Sequence, residues 1–223
     1  MQGGLIFDLD GTLVDSLSGI AASLNRALVR CGMSGHADED VRRFIGNGSY
    51  ELARKASAEG STPEQIFAVE AAFKEDYGHT WPEGTAPYAG IPELLEKLAL
   101  SRRRIAVLSN KPHPFTLEIV GRLFPGVPFD PVLGQRPEAP RKPHPDAAIQ
   151  IARLWAAEPA DCLFIGDSTV DFETGRSAGM QPVMVGWGYH DADQLVAAGA
   201  EQVVASVVDL GALLATPFGA SGA

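Results

Sequence analysis

Short apolar runs that stop at polar residues recur along the chain and are the main guide to its fold. The clearest of them are the runs at 5–7, 105–108 and 163–165, each uninterrupted and each followed by a polar turn. Uninterrupted apolar strands are typical of a parallel sheet that is covered on both faces. Weaker runs at 182–185 and 201–205 predict two further strands.

Apolar residues at helical spacing follow or separate these runs. They predict helices at 91–100, 115–124 and 146–157, and a last one through residues 210–214. Strands that alternate with helices indicate an α/β fold with a doubly wound parallel sheet. We expect the small and polar tail, 216–223, to be frayed.

One block interrupts the alternation of strands and helices. Between residues 16 and 80 the pattern predicts helices at 21–29, 49–58 and 63–77 and no convincing strand. The following stretch, 81–90, is rich in proline and glycine and is predicted to be a loop or hinge. The sequence therefore predicts an α/β core domain (1–15 and 81–223) with an inserted helical cap domain (16–80).

Composition narrows the class of function. The chain has 223 residues, 45% of them hydrophobic, and a formal net charge of -10. This charge argues against general binding to nucleic acid or anionic membranes, which favour basic surfaces. Two cysteines imply no disulfide framework, and neither a signal peptide nor a membrane-spanning run is visible. We expect a cytoplasmic protein and make no prediction of its oligomeric state.

Polar clusters follow the predicted strands or lie in loops that we expect to converge on one edge of the sheet. They are Asp8 and Asp10 with Thr12; Ser109 with Asn110; Lys142; and Asp167 with Asp171. Ligands of open α/β sheets bind at the carboxyl ends of the strands. Carboxylates can act as nucleophile, proton carrier or Mg²⁺ ligand, and a hydroxyl and an ammonium can hold phosphoryl oxygens. The set therefore indicates phosphoryl transfer.

The same residues resemble the motifs of the haloacid dehalogenase superfamily, and within it the phosphoglycolate phosphatase group. Residues 8–16 match the first motif, residues 109–111 the second, Lys142 with Pro143 the third, and residues 166–171 the fourth. The motifs occur in family order over nearly the whole chain. The resemblance implies a phosphatase that acts on a small phosphorylated metabolite, with 2-phosphoglycolate as the first candidate.

The resemblance also implies roles for the carboxylates. Asp8 would be the nucleophile, and Asp10 would protonate the leaving oxygen and then activate water. Mg²⁺ would be bound by the side chains of Asp8 and Asp167 and by the backbone carbonyl of Asp10. Asp171 would support the metal from its outer shell.

Further residues are assigned to substrate binding. Ser109 and Lys142 would bind the phosphoryl group, and Lys142 would also keep Asp8 ionised. Thr12 and Asn110 are assigned to the same site. Asn47, between two glycines of the helical insert, is the candidate contact to the rest of the substrate, because glycines allow a close approach of backbone to ligand. We expect the insert to close as a lid.

Several alternatives stay open at this point. Lys111 is a competitor of Lys142 for the phosphate. A phosphosugar mutase and a phosphonate hydrolase of the same superfamily are alternative enzymes, the latter needing a lid lysine such as Lys55 or Lys74. A receiver-like phospho-aspartate switch is the non-enzyme alternative, because it also combines a doubly wound sheet, Mg²⁺ and a phosphorylated aspartate.

Overall fold

The computed structural model describes residues 3–215, and within this range the chain alternates strands and helices on either side of a run of helices. The strands are β1 (Leu5–Phe7), β2 (Val14–Asp15), β3 (Ala86–Pro87), β4 (Ile105–Pro112), β5 (Phe129–Gln135), β6 (Leu163–Gly166), β7 (Gln181–Val185) and β8 (Val203–Val204). The helices are α1 (Leu17–Arg30), α2 (Asp38–Phe44), α3 (Ser49–Ala56), α4 (Pro63–Thr80), α5 (Ile91–Leu100), α6 (His113–Leu123), α7 (Asp146–Leu154), α8 (Thr169–Ser177), α9 (Ala192–Ala197) and α10 (Val207–Ala215). Short 3₁₀ turns lie at Trp81–Glu83 and Pro159–Asp161.

The chain divides into two compact units. The first, called the α/β unit, comprises residues 3–13 and 87–215, and the second, the helical unit, comprises Val14–Ala86. The helical unit therefore begins earlier and ends later than the predicted range 16–80. The strands β2 and β3 pair with each other in a small sheet of their own where the chain passes between the units.

The α/β unit contains a six-stranded sheet in the order β5-β4-β1-β6-β7-β8. Each pair of neighbouring strands in this sheet is parallel. The chain builds outward from β1 through β4 to β5, and then returns to the other side of β1 with β6, β7 and β8. The order of strands thus reverses beside β1, and such a switch point is where open α/β sheets bind their ligands. The predicted α/β fold class is confirmed.

The core explains why the strand sequences are continuously apolar. Ile6 lies in register with Ala106 on one side and with Phe164 on the other. These three side chains are buried in one cluster with Ile151 of α7 and the neighbouring Trp155. A second cluster on the same face joins α8, β7 and α9. The residues that alternate with these in β1, β4 and β6 point to the other face and are buried as well, so both faces of the central strands are covered.

The helical unit is built on α1 and α4, which contact each other along their length. α4 begins at a reciprocal cap: the Thr62 N–H donates to Gln65 Oε1 at 2.8 Å, and the Gln65 N–H donates to Thr62 Oγ1 at 3.4 Å. Pro63 occupies the first turn, where its missing N–H costs nothing. Arg26 of α1 forms an ion pair of 2.6 Å with Asp76 of α4.

Some local predictions need correction. The stretch 81–90 is not only loop, because it contains the 3₁₀ turn Trp81–Glu83 and the strand β3. The sequence pattern did not predict β5, α2, α8 or α9. The tail 216–223 lies outside the described residues. No helix within residues 3–215 is long and apolar enough to cross a bilayer.

Candidate active site

Asp8 and Asp10 follow β1, the strand beside which the order of the sheet reverses. The Asp8 N–H donates to the Ile165 carbonyl at 2.9 Å, so the pairing of β1 with β6 continues up to the first carboxylate. Gly11 then turns the chain with a φ of +83°. A Cβ atom at Gly11 would lie 2.3 Å from Asp167 Oδ2, so only glycine allows this close approach.

Lys142 is the buried cation of the site. Its Nζ lies 2.8 Å from Asp8 Oδ1 and 2.6 Å from Asp171 Oδ1, and its side chain is 3% exposed. The ring of Phe164 lies beneath the ammonium, 5.6 Å from it. A buried ammonium needs such partners because it has lost its hydration. Lys142 therefore links the first and the fourth sequence motif.

Asn110 fixes the backbone that carries Lys142. The Asn110 Nδ2 donates to the Lys142 carbonyl at 3.0 Å, and the Lys142 N–H donates to Asn110 Oδ1 at 2.9 Å. Both ends of the amide are thus used to join the end of β4 to the loop after β5. In this structure Asn110 positions Lys142, while its predicted contact with substrate stays a prediction.

Ser109 and Lys111 lie on either side of Asn110. The buried Ser109 Oγ accepts a hydrogen bond of 3.2 Å from the Lys111 N–H, which leaves its own hydroxyl hydrogen able to point at a ligand. Lys111 Nζ donates to Asp10 Oδ1 at 2.9 Å and to Oδ2 at 3.2 Å. The structure thus gives the two lysines different carboxylates: Lys111 contacts Asp10, and Lys142 contacts Asp8 and Asp171.

Asp167 is held from two directions. Thr12 Oγ1 donates to its Oδ1 at 3.0 Å, and the Tyr189 N–H donates to its Oδ2 at 2.7 Å. Gly188 leaves room for this carboxylate, because a Cβ atom there would lie 2.2 Å from the Asp167 Cβ. Trp187 anchors the same loop by donating from Nε1 to the Thr12 carbonyl at 3.1 Å.

Asp171 has few lone pairs left for a ligand. Its Oδ1 contacts Lys142, and its Oδ2 accepts from the Ser168 N–H at 3.1 Å and from Ser168 Oγ at 2.6 Å. The Asp171 N–H donates back to Ser168 Oγ at 3.3 Å, which closes a reciprocal cap at the start of α8. These contacts suit a residue that orients Lys142 more than one that binds a metal directly.

The electrostatics of the site follow from burying several carboxylates together. The pKa of Asp8 is raised to about 7, because burial and the nearby Asp171 carboxylate raise it by more than Lys142 lowers it. Burial and the carboxylates of Asp171 and Asp8 also raise the pKa of Asp167. Burial alone would lower the pKa of Lys142, but Asp171 and Asp8 outweigh it and raise the net value. Lys142 is therefore a permanent cation beside Asp8, a carboxyl group whose pKa is raised.

This arrangement fits a divalent cation. Carboxylate oxygens of Asp8, Asp167 and Asp171 lie within 4.8 Å of one another. Although Lys142 Nζ is near, Asp8 Oδ1 accepts no hydrogen bond of suitable angle from the residues that the structure describes. Hard oxygen ligands in a buried acidic cluster are the donors that Mg²⁺ prefers, and a bound dication would favour the ionised form of Asp8 and Asp167.

The structure brings the predicted core residues together in the α/β unit, whereas Asn47 belongs to the helical unit, between α2 and α3. The predicted roles of these residues stay predictions. The sequence analysis included Ser168 in the fourth motif without giving it a role, and it did not identify the loop at 187–189 as part of the site. The signal for that loop was its position: a glycine-rich polar stretch that follows β7, the neighbour of β6.

Comparison with known proteins identifies the family. A model of the haloacid dehalogenase-like hydrolases matches residues 5–185. The chain belongs to this family. The predicted resemblance is thereby confirmed, and so is the predicted class of enzyme, a phosphatase of the family.

Named relatives are similar over most of the chain. A phosphoglycolate phosphatase of Escherichia coli (strain K12) is 29% identical over 234 aligned residues, which cover 96% of this chain and 93% of the relative. A phosphoglycolate phosphatase of Aquifex aeolicus (strain VF5) is 31% identical over 185 residues, which cover 83% and 85%. A crystal structure of a candidate phosphoglycolate phosphatase from Lactobacillus delbrueckii subsp. bulgaricus ATCC BAA-365 superposes with a TM-score of 0.89. Its identity is 28%, with 96% of this chain and 99% of that chain covered.

Proposed function

We propose that this phosphatase hydrolyses small phosphorylated metabolites with the help of Mg²⁺ and through an aspartyl-phosphate on Asp8, with 2-phosphoglycolate as the first candidate substrate. The observation that carries the proposal is the buried pair of Asp8 and Lys142 at the end of β1, next to Asp167. The names of the similar proteins support the choice of 2-phosphoglycolate.

In the first step an Asp8 carboxylate oxygen attacks phosphorus, and the bond between phosphorus and the leaving oxygen breaks. Asp10 gives a proton to that leaving oxygen. Lys142 neutralises charge beside the nucleophile, and the Ser109 hydroxyl can donate a hydrogen bond to a phosphoryl oxygen. Lys111 orients the Asp10 carboxyl group through its two contacts.

In the second step the aspartyl-phosphate is hydrolysed. Asp10 takes a proton from a water molecule whose oxygen attacks phosphorus, the bond to Asp8 breaks, and inorganic phosphate leaves. Mg²⁺ bound by Asp8 and Asp167 would supply charge neutralisation on the phosphoryl oxygens in both steps. Thr12 and the Tyr189 N–H keep the Asp167 carboxylate in place for that purpose.

The test is a phosphate-release screen over a panel of small phosphorylated metabolites, with Mg²⁺ and with chelator. We expect turnover that depends on Mg²⁺ and is highest for 2-phosphoglycolate. Asp8→Asn is the inactive variant, and Asp193→Asn, an exposed aspartate at the start of α9, is the matched control. Equal phosphate release by wild type and Asp8→Asn would refute the proposal.

The same screen separates the alternatives. A phosphosugar mutase would convert a phosphosugar into its isomer with little free phosphate, and a phosphonate hydrolase would cleave a carbon–phosphorus bond that phosphate esters lack. A receiver-like switch would retain the phosphoryl group on Asp8 without multiple turnover. The Asp10–Lys111 pair beside the nucleophile favours the phosphatase, because it supplies a positioned group for hydrolysis.

A further inference from the structure

A second group of polar residues lies at the carboxyl ends of β4 and β5, outside the catalytic set. His113 begins α6 directly after β4, and Arg136 follows directly after β5. β4 pairs with β1 on one side and with β5 on the other, so both residues come from strand ends at the same edge of the sheet as Asp8. Adjacent strands are ~4.8 Å apart, which puts this group within about two strand spacings of the nucleophile's strand.

The contacts of His113 leave a hydrogen-bond donor without an acceptor. The Gly134 N–H donates to His113 Nδ1 at 3.1 Å, and Arg136 Nη2 lies 2.6 Å from His113 Nε2. A neutral imidazole has one acceptor nitrogen, and a protonated one has none. The ring therefore cannot accept from both groups. If Nδ1 accepts from Gly134, Nε2 carries a hydrogen that faces the arginine, and two donors meet.

An anion resolves this conflict. With the hydrogen on Nε2, the ring and the Arg136 guanidinium are two adjacent donors, and a carboxylate placed between them can accept from both while Gly134 keeps its bond to Nδ1. Burial lowers the pKa of His113, Arg136 lowers it further, and Glu138 acts in the opposite direction. The ring is thus neutral at pH 7 and carries one ring hydrogen, which lies on Nε2 when Nδ1 accepts from Gly134.

The charges at this edge of the sheet are distributed unevenly. Asp8, Asp167 and Asp171 cluster around Lys142 at the ends of β1 and β6. On the opposite side, Lys111 is already used by Asp10, while Arg136 is exposed and has no carboxylate partner within residues 3–215. A substrate with two anionic groups would place its phosphoryl group near Asp8 and its second anionic group toward Arg136.

We propose that Arg136 and His113 form a specificity site for the carboxylate of a phosphorylated carboxylic acid whose phosphoryl group is bound at Asp8. This inference rests on the proposed phosphatase function and adds the residues that select the substrate. It assigns to the α/β unit a part of substrate selection that does not depend on the helical unit.

The first test compares two substrates that differ in the carboxylate. These are 2-phosphoglycolate and 2-hydroxyethyl phosphate, which carries a neutral hydroxymethyl group in its place. Arg136→Gln should lower kcat/KM for 2-phosphoglycolate by about 10- to 100-fold, the size of a charged hydrogen bond, and change the value for 2-hydroxyethyl phosphate less than about twofold. Arg136→Lys should give an intermediate loss. Arg153→Gln removes an exposed arginine from α7 and should change neither value.

Two kinetic outcomes overturn the inference and leave the phosphatase function intact. One is a wild-type enzyme that hydrolyses both substrates equally well. The other is an equal loss on both substrates in Arg136→Gln. If the wild type hydrolyses neither substrate nor any other member of the phosphate-release panel, the proposed function itself fails.

A binding measurement that needs no turnover separates these cases. Sodium glycolate is titrated while the NMR resonances of the Gly134 amide and the His113 ring are followed. We expect saturable shifts in the wild type and in Arg153→Gln, and none in Arg136→Gln. Absence of a saturable shift in the wild type would overturn the carboxylate site, whatever the result of the phosphate-release screen.

Discussion

The substitution Lys142→Met should destabilise the metal-free protein in a way that depends strongly on pH. Methionine fills a similar volume without the ammonium, so packing against Phe164 is largely kept while the charge is lost. Three buried carboxylates, Asp8, Asp167 and Asp171, then remain within 4.8 Å of one another without their cation.

The structure gives the size of this effect. At an effective dielectric constant of about 20, contacts of 2.8 and 2.6 Å are each worth about 6 kcal/mol before desolvation of the ammonium is subtracted. Removing one partner of a buried ion pair costs about 3–5 kcal/mol of unfolding free energy in measured cases. For a chain of this length we expect a decrease in Tm of about 2–4 °C for each kcal/mol.

The sign of the pH dependence follows from the pKa shifts. The raised pKa of Lys142 means that its contribution is present at every pH below its unfolded value of 10.5. The raised pKa values of Asp8 and Asp167 in the folded state mean that these groups protonate as pH falls toward 5, which relieves their repulsion. The loss caused by Lys142→Met should therefore be larger at pH 8 than at pH 5.

The assay is chemical or thermal unfolding in chelator at pH 5 and pH 8, repeated with Mg²⁺. Lys97→Met, an exposed lysine in the last turn of α5, is the matched control and should change the unfolding free energy by less than about 0.5 kcal/mol. A divalent cation replaces part of the missing positive charge, so Mg²⁺ should stabilise Lys142→Met more than the wild type. Equal losses in the two lysine variants, or a Lys142 loss that does not change with pH, would refute the reasoning.

Three other outcomes are expected at the same site. The pKa of Asp8 is raised from 3.8 to about 7, so between these pH values the folded metal-free protein binds more protons than the unfolded chain. Its unfolding free energy should therefore fall as pH rises through this window, by up to about 1.4 kcal/mol per pH unit. Asp8→Asn should remove this part of the pH dependence in melting experiments, and an unchanged pH dependence would contradict the assignment. Asp10→Asn should slow hydrolysis by about 10²–10⁴-fold and let phosphoenzyme accumulate in rapid-quench experiments, whereas an unchanged rate across the pH profile would remove Asp10 from the mechanism. Thr12→Val removes the hydroxyl that donates to Asp167 and should raise the Mg²⁺ concentration needed for half-maximal rate by about 10–100-fold. Thr12→Ser keeps the hydroxyl and is the control, with the same Mg²⁺ requirement as the wild type. An unchanged requirement in Thr12→Val would argue against a role of this contact.

Sequence patterns predicted the centre of the sheet well because burial on both faces leaves an unmistakable signal. The apolar runs at 5–7, 105–108 and 163–165 correspond to β1, β4 and β6, the three adjacent strands at its middle. Except for Lys142, which lies in the loop after β5, the motif residues lie at or just after the carboxyl ends of these strands, so their convergence could be expected from the rule that parallel strands end at one edge.

The edges of the sheet and the contacts of the site were less accessible from sequence. β5 contains Asp130, Pro131 and Gly134, which lower the strand signal, yet an edge strand tolerates such residues because one side of it is unpaired. The pairing of Lys111 with Asp10 depends on which way two side chains turn at neighbouring strand ends. Spacing along the chain carries no information about that choice.

The different partners of Lys111 and Lys142 matter for the mechanism. In the proposed mechanism, Lys142 contacts the carboxylate that attacks phosphorus, Asp8, and Lys111 contacts the carboxyl group that carries protons, Asp10. Further polar residues lie at the neighbouring strand ends. His113 follows Lys111 at the end of β4, and Arg136 lies at the end of β5. A metabolite whose only anionic group is its phosphoryl group would contact only the residues around Asp8 and Asp10. A metabolite that also carries a carboxylate would contact His113 and Arg136 as well. For this reason the comparison of the two substrates in Arg136 variants tests both parts of this edge of the sheet.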